Sequence, residues 1–146
     1  MIILFSVRPV YILGKEELFV NKLHGFILRS LYAFPVKRGQ ADVSAIKTSI
    51  NILKEGKILL IFPEGTRTKG ENLNSMHDGV SFIAMRAKAT IVPINIQNDY
   101  TFFHRPIVTI GEPLDINKIE AEKGKLSKEQ ISQILFGTLK ELHQGE

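Results

Sequence analysis

The sequence predicts an α/β fold, a mainly parallel central sheet flanked by helices, and three observations carry that prediction. The run Lys57–Phe62 (KILLIF) is almost continuously apolar, the pattern of a strand buried on both faces of a parallel sheet. A second apolar run, Thr90–Ile96, reads the same way. Between such runs lie segments whose apolar residues recur at helical spacing, so strands and helices alternate along the chain. The expected arrangement has Lys57–Phe62 central, Thr90–Ile96 beside or near it, and helices on both faces.

In chain order, Val10–Leu13 reads as a short buried strand. Lys15–Leu31 reads as helical, with Leu18, Phe19, Leu23, Phe26 and Ile27 spaced for one apolar face. Phe34–Val36 is a short extended piece held by Pro35. Asp42 is an N-cap candidate for a helix in which Val43, Ile46, Ile50 and Leu53 share a face and Gly56 supplies the stop. After Lys57–Phe62, Gly79–Ala89 reads as a short helix and Ile107–Ile110 as a strand with partial alternation. Ser127 and Gln130 make a capping-box pattern for a last helix with Ile131, Ile134, Leu135, Leu139 and Leu142 on its inner side.

A length of 146 residues bounds the chain to one compact domain, residues 1–146, without repeats or linkers. The net charge of +4 suits an anionic substrate, an anionic membrane face or nucleic acid without choosing among them. With no Cys there is no disulfide framework and no thiolate metal site. No metal cluster is expected. The early apolar stretch Met1–Val7 is broken by Arg8 and falls short of the ~20 residues a spanning helix needs.

The stretch richest in chemistry is Phe62-Pro63-Glu64-Gly65-Thr66-Arg67-Thr68. A buried strand ends, the chain turns through Pro and Gly, and Glu64, Thr66 and Arg67 follow at the carboxyl end, where open α/β sheets place their ligands. Gly65 lets backbone N–H groups approach an anion, and Arg67 suits a phosphate held bidentately. The same loop reads equally as a polar turn in which Glu64 and Arg67 satisfy each other. A second basic cluster, Lys37-Arg38-Gly39, follows another short strand. Alone it is a solvated turn; with the first it makes a shared anion site, on which Arg38 and Arg67 would converge with Glu64. Pro93, in Val92-Pro93-Ile94, cannot donate to a sheet ladder and marks a strand end, an edge or a bulge.

Four blocks in order, Lys15-Glu16-Glu17-Leu18-Phe19, Phe34-Pro35-Val36-Lys37-Arg38-Gly39, Phe62-Pro63-Glu64-Gly65-Thr66-Arg67 and Ile91-Val92-Pro93-Ile94, resemble the glycerolipid acyltransferase family of the 1-acylglycerol-3-phosphate (lysophosphatidic acid) type. The resemblance covers roughly residues 8–115. It implies a glycerol-3-phosphate acyltransferase-like fold and an O-acyl transfer of phospholipid biosynthesis, giving phosphatidic acid from lysophosphatidic acid. The co-substrate would be acyl-CoA or acyl carrier protein, with no bound cofactor. By the same resemblance Arg38 and Arg67 hold the acceptor phosphate, Glu64, Gly65 and Thr66 shape the acceptor site, and Val92-Pro93-Ile94 lies near the donor side. The implied location is cytoplasmic, peripheral on the inner face of the membrane.

The sequence departs from the family in its first block. Relatives carry H-x-x-x-x-D, a general base and its orienting carboxylate. The four His stand at 24, 77, 104 and 143, and none has Asp five positions on. No catalytic residue is therefore assigned, and the expectation is a domain that begins just after the motif, with weak or absent turnover. Its N-terminal edge near Met1–Phe5 would favour self-association or a partner. The adjacent pair His77-Asp78 is a poor relay, because neighbouring side chains point in different directions; His77 is expected in a loop. The competing readings are a non-catalytic remnant of the family and a phosphate- or nucleic-acid-binding α/β domain. Against nucleic acid stand the three Tyr, the absence of Trp and the lack of aromatic–basic interleaving.

Overall fold

The computed structural model describes residues 8–37, 42–62, 73–97 and 106–144, the side chains of 73–78, 97, 123 and 143–144 excepted. They fall in two compact units that divide at Arg67 and Thr68.

The first unit is a three-stranded parallel sheet, β1 (Val10–Lys15), β2 (Ala33–Val36) and β3 (Ile58–Leu60), in the order β2-β1-β3. Ile12 of β1 lies opposite both Ala33 and Leu60. The centre of the described sheet is thus β1, a correction to the expected centrality of Lys57–Phe62: an apolar run reports burial and not strand order. In keeping with that, Ile58 is exposed. The helices α1 (Lys22–Ser30) and α2 (Val43–Lys54) make the two crossovers. The first steps from β1 to β2, and the second returns over β1 to β3. The right-handed sense general to parallel crossovers then sets the two helices on opposite faces.

The expected helix Lys15–Leu31 is two pieces. A 3-10 turn, Glu16–Phe19, ends at Val20, and Asn21 then caps α1 by accepting the backbone N–H groups of Leu23 at 2.9 Å and His24 at 3.4 Å. The break lets the Phe19 ring fold back over β1, where a Cβ on Gly14 would stand 3.0 Å from it. The Arg29 guanidinium lies over the same ring, 5.5 Å from its centre.

Helix α2 begins where Asp42 predicted. Its buried stripe is Ala45, Ser49 and Ile52, whereas Val43, expected inside, is exposed. Small side chains bring the helix axis close to the sheet, and the Ser49 hydroxyl is satisfied by donating to the Ala45 carbonyl at 2.8 Å. Gly56, at φ +72°, ends the segment as expected of a left-handed position.

The second unit comprises α3 (Leu73–Ala87), the antiparallel pair β4 (Ile94–Gln97) and β5 (Ile107–Ile110), α4 (Ile116–Lys123) and α5 (Lys128–Gln144). Helix α3 starts earlier than expected and includes the backbone of His77, which the sequence reading placed in a loop. The described partner of β4 is β5, antiparallel. Pro93 precedes β4, the position its missing N–H allows, and its carbonyl accepts the Gly111 N–H at 2.9 Å. The core of this unit is Ala84, Ile116, Leu126 and Ile131. Helix α5 starts on the predicted capping box: Ser127 N–H donates to Gln130 Oε1 at 2.8 Å, and Gln130 N–H donates to Ser127 Oγ at 3.3 Å.

Candidate functional site

Because β1, β2 and β3 are parallel, their carboxyl ends lie on one edge of the sheet. From that edge the chain leaves β1 into Glu16-Glu17, β2 into Lys37, and β3 through Ile61 and Phe62. These exits fall within three of the four blocks singled out above. The five candidate substrate-binding residues, Arg38, Glu64, Gly65, Thr66 and Arg67, lie outside the described residues, as do Met1–Phe5 and His104. What the structure describes is the frame that surrounds them in sequence.

Asp42 is the main fixed point of this frame. One carboxylate oxygen, Oδ1, accepts the N–H of Ala45 at 3.0 Å and caps α2. The other, Oδ2, accepts the N–H of Lys37 at 3.0 Å. The same side chain therefore holds both ends of the stretch that contains Arg38. The N–H of Lys37 first, and then that of Ala45, hold the Asp42 carboxyl below its ordinary value, since both bonds favour the charged form. The sequence reading found the cap but missed the second bond. The only local signal for it is an Asp five residues after a basic strand end.

Beside it, the Lys37 ammonium lies 3.9 Å from the Glu16 carboxylate. Both side chains are more than half exposed, so the pair orients the two segments weakly. Glu16, Phe34, Pro35, Lys37, Asp42 and Thr48 line a hollow of ≈ 340 Å³. Its two carboxylates and one ammonium do not themselves make an anion site. A slightly larger hollow of ≈ 380 Å³ lies at the opposite, amino edge, against Tyr11, Arg29, Tyr32, Asn51, Glu55 and Lys57. There Glu55, and then the Tyr11 hydroxyl, hold the Lys57 ammonium above its ordinary value, and the cation lies over the Tyr11 ring. Glu55 and Tyr11 thus engage the Lys57 ammonium, and none of the described strand ends with a motif segment lies on that side. Size alone therefore does not make this hollow the reaction site.

Among the described residues no group of three or more His, Asp or Glu is placed to hold a metal ion. Nor is any described helix long and apolar enough to cross a membrane.

Residues 1–97 match the family model described as Acyltransferase. The chain is 43% identical over 88 residues to the 1-acyl-sn-glycerol-3-phosphate acyltransferase of Bacillus subtilis, covering 60% of this chain and 43% of that protein. With the Streptococcus pneumoniae protein of the same name it is 32% identical over 138 residues, covering 89% of this chain and 49% of that one. The crystal structure of the 1-acyl-sn-glycerophosphate acyltransferase of Thermotoga maritima superposes with a TM-score of 0.67 at 23% identity, over 93% of this chain and 56% of that one. This last likeness speaks for the fold. The chain spans less than half the length of the two bacterial relatives.

Proposed function

We propose that this chain, which belongs to the acyltransferase family, is a partial acyltransferase domain, residues 1–146, that takes 1-acylglycerol-3-phosphate as acceptor and acyl-CoA or acyl carrier protein as donor. In the reaction the acceptor hydroxyl loses its proton to a base. Its oxygen forms an ester bond to the acyl carbon, and the C–S bond of the thioester breaks, the thiol leaving with a proton. Arg38 and Arg67 hold the acceptor phosphate, and Glu64, Gly65 and Thr66 shape its site. The base is not among the residues of this sequence. The chain contacts the membrane peripherally, from the cytoplasmic side, and its N-terminal edge favours self-association.

One observation carries the reading. The strand order β2-β1-β3 reverses direction between β1 and β3, and ligands of open α/β sheets bind outside the carboxyl ends at such a reversal. In sequence, Pro63–Arg67 comes directly after Phe62, and Arg38 directly after Lys37, whose N–H donates to Asp42. Strands lie ~4.8 Å apart, so segments leaving β2 and β3 start ~10 Å apart, within the combined reach of two Arg side chains around one phosphate.

The test is equilibrium dialysis with a water-soluble, short-chain lysophosphatidate. Arg38→Ala and Arg67→Ala should each weaken binding by about tenfold or more, the usual cost of losing a charge-assisted bond. Unchanged affinity in both variants would overturn the assignment. Equal or tighter binding of single-stranded RNA would move the protein to the nucleic-acid class.

A further inference from the structure

Helix α2 needs one acceptor at its N-cap, and Asp42 supplies two. Oδ1 accepts the Ala45 N–H at 3.0 Å, the bond that a cap requires. Oδ2 accepts the Lys37 N–H at 3.0 Å, one residue past the end of β2. Asn and Ser cap a helix about as well as Asp does, but each presents one acceptor atom in place of the carboxylate's two. The tie to Lys37 is therefore what the carboxylate adds. Arg38 is joined directly to Lys37. The Lys37 ammonium is also drawn to Glu16, 3.9 Å away beyond the end of β1, but that pair is more than half exposed and weak. The backbone bond to a charged acceptor is the firmer of the two.

Two effects of opposite sign follow for an anion taken up by Arg38. The Asp42 carboxylate, four positions along the chain, repels a phosphate brought to that stretch, and a neutral cap would spare the repulsion. Against this, the segment 38–41 has both of its ends held by one side chain. A segment tied at both ends has less conformational freedom to lose when one of its residues grips a ligand. Charge and positioning thus predict changes of opposite direction when Asp42 is replaced by a neutral residue that still caps the helix.

We infer that Asp42 is a positioning residue of the acceptor-phosphate site, acting through Arg38 by holding the Lys37 N–H to the first turn of α2. The inference rests on the assignment of Arg38 to the acceptor phosphate proposed above and adds to it a residue that itself touches no substrate. It requires that the second oxygen of Asp42, and not the cap alone, supports binding.

The experiment measures binding of the short-chain lysophosphatidate to the full chain by equilibrium dialysis. It compares the wild type with Asp42→Ser, Asp42→Asn, Arg38→Ala and the double variant Arg38→Ala/Asp42→Ser, each shown to be folded by circular dichroism. Ser and Asn keep an acceptor for the Ala45 N–H and give up the tie to Lys37. Affinity should fall about fivefold in Asp42→Ser and in Asp42→Asn, the size of one hydrogen bond. In the Arg38→Ala background the change Asp42→Ser should shift affinity by less than about twofold, because its effect runs through Arg38. Should Asp42→Ser not fold, the near-isosteric Asp42→Asn takes its place in the cycle. Unchanged or tighter binding in both single variants overturns the inference, for then only the cap or the charge matters. A fivefold loss that persists without Arg38 overturns it as well and makes Asp42 a general support of the fold. If Arg38→Ala itself leaves affinity unchanged, the phosphate assignment fails and the positioning role fails with it.

Discussion

The carboxylate of Asp42 and the backbone N–H of Lys37 meet at 3.0 Å, which closes the chain between β2 and α2 around the stretch that contains Arg38. The same carboxylate caps α2 through Ala45. One side chain thus supports both the start of α2 and the end of β2.

Asp42→Ala is expected to lower the unfolding free energy by ~1 kcal/mol, the usual cost of losing an N-cap. It should also weaken lysophosphatidate binding, because the start of the Arg38 stretch is released. A cap alone would change stability and leave affinity untouched. Urea unfolding and equilibrium dialysis on the same preparation therefore separate the two roles.

The pH dependence has a defined sign. The carboxyl of Asp42 is held below its ordinary value of 3.8 by the Lys37 and Ala45 N–H groups. Its contribution is fully present above that ordinary value and is lost as pH falls through the lower folded value. Urea midpoints of the wild type and Asp42→Asn should lie apart near neutrality and draw together in acid, with equal slopes. A constant gap through the acid range would show that the charge on Asp42 contributes nothing.

Gly25→Ala sets two effects against each other. Alanine favours the helix by ~1 kcal/mol, while the added methyl meets the Phe19 carbonyl oxygen at 3.0 Å and Arg29 Nη1 at 3.2 Å. The carbonyl belongs to a backbone turn and cannot swing aside, and such overpacking costs ~1–3 kcal/mol. A net loss of about 1 kcal/mol is expected in denaturant titration. A gain would mean that the 3-10 turn gives way freely.

In the second unit, Ser132 Oγ donates to Ser81 Oγ at 2.9 Å where α5 meets α3, and Ser81 is wholly buried. Ser81→Ala should cost ~1 kcal/mol through the lost hydrogen bond. Ser81→Leu should cost more, up to ~3 kcal/mol, because it forces the two helices apart. Thermal melts of the two variants should fall in that order.

The chain as it stands should transfer acyl groups very slowly. General-base catalysis is worth ~10²–10⁴-fold, and binding with positioning leaves only a residue of the rate. Joining an upstream segment that supplies H-x-x-x-x-D should raise turnover by about that factor in an acyl-transfer assay. Equal, robust turnover with and without the segment would show that a residue of this sequence, His77 first, acts as base.

Local features were legible because local chemistry fixes them. Asp42 caps α2 and Ser127 with Gln130 caps α5 since each bond spans three residues, within reach of one side chain. Gly56 stops α2 because it accepts a positive φ. Four short motif blocks sufficed for the family, a match the family comparison bears out over residues 1–97. Strand order was another matter. An apolar run such as Lys57–Phe62 states that a strand is buried, while its neighbours are set by pairings across the chain, and these put β1 between β2 and β3. Periodicity likewise grouped Leu23, Phe26 and Ile27 on one face of α1 but could not say whether anything covers it. Only the packing of Gly25 against the 3-10 turn decided which side of that helix faces in. The bond from Lys37 to Asp42 also belongs to tertiary structure, because it requires the end of a strand and the start of a helix to be brought back together.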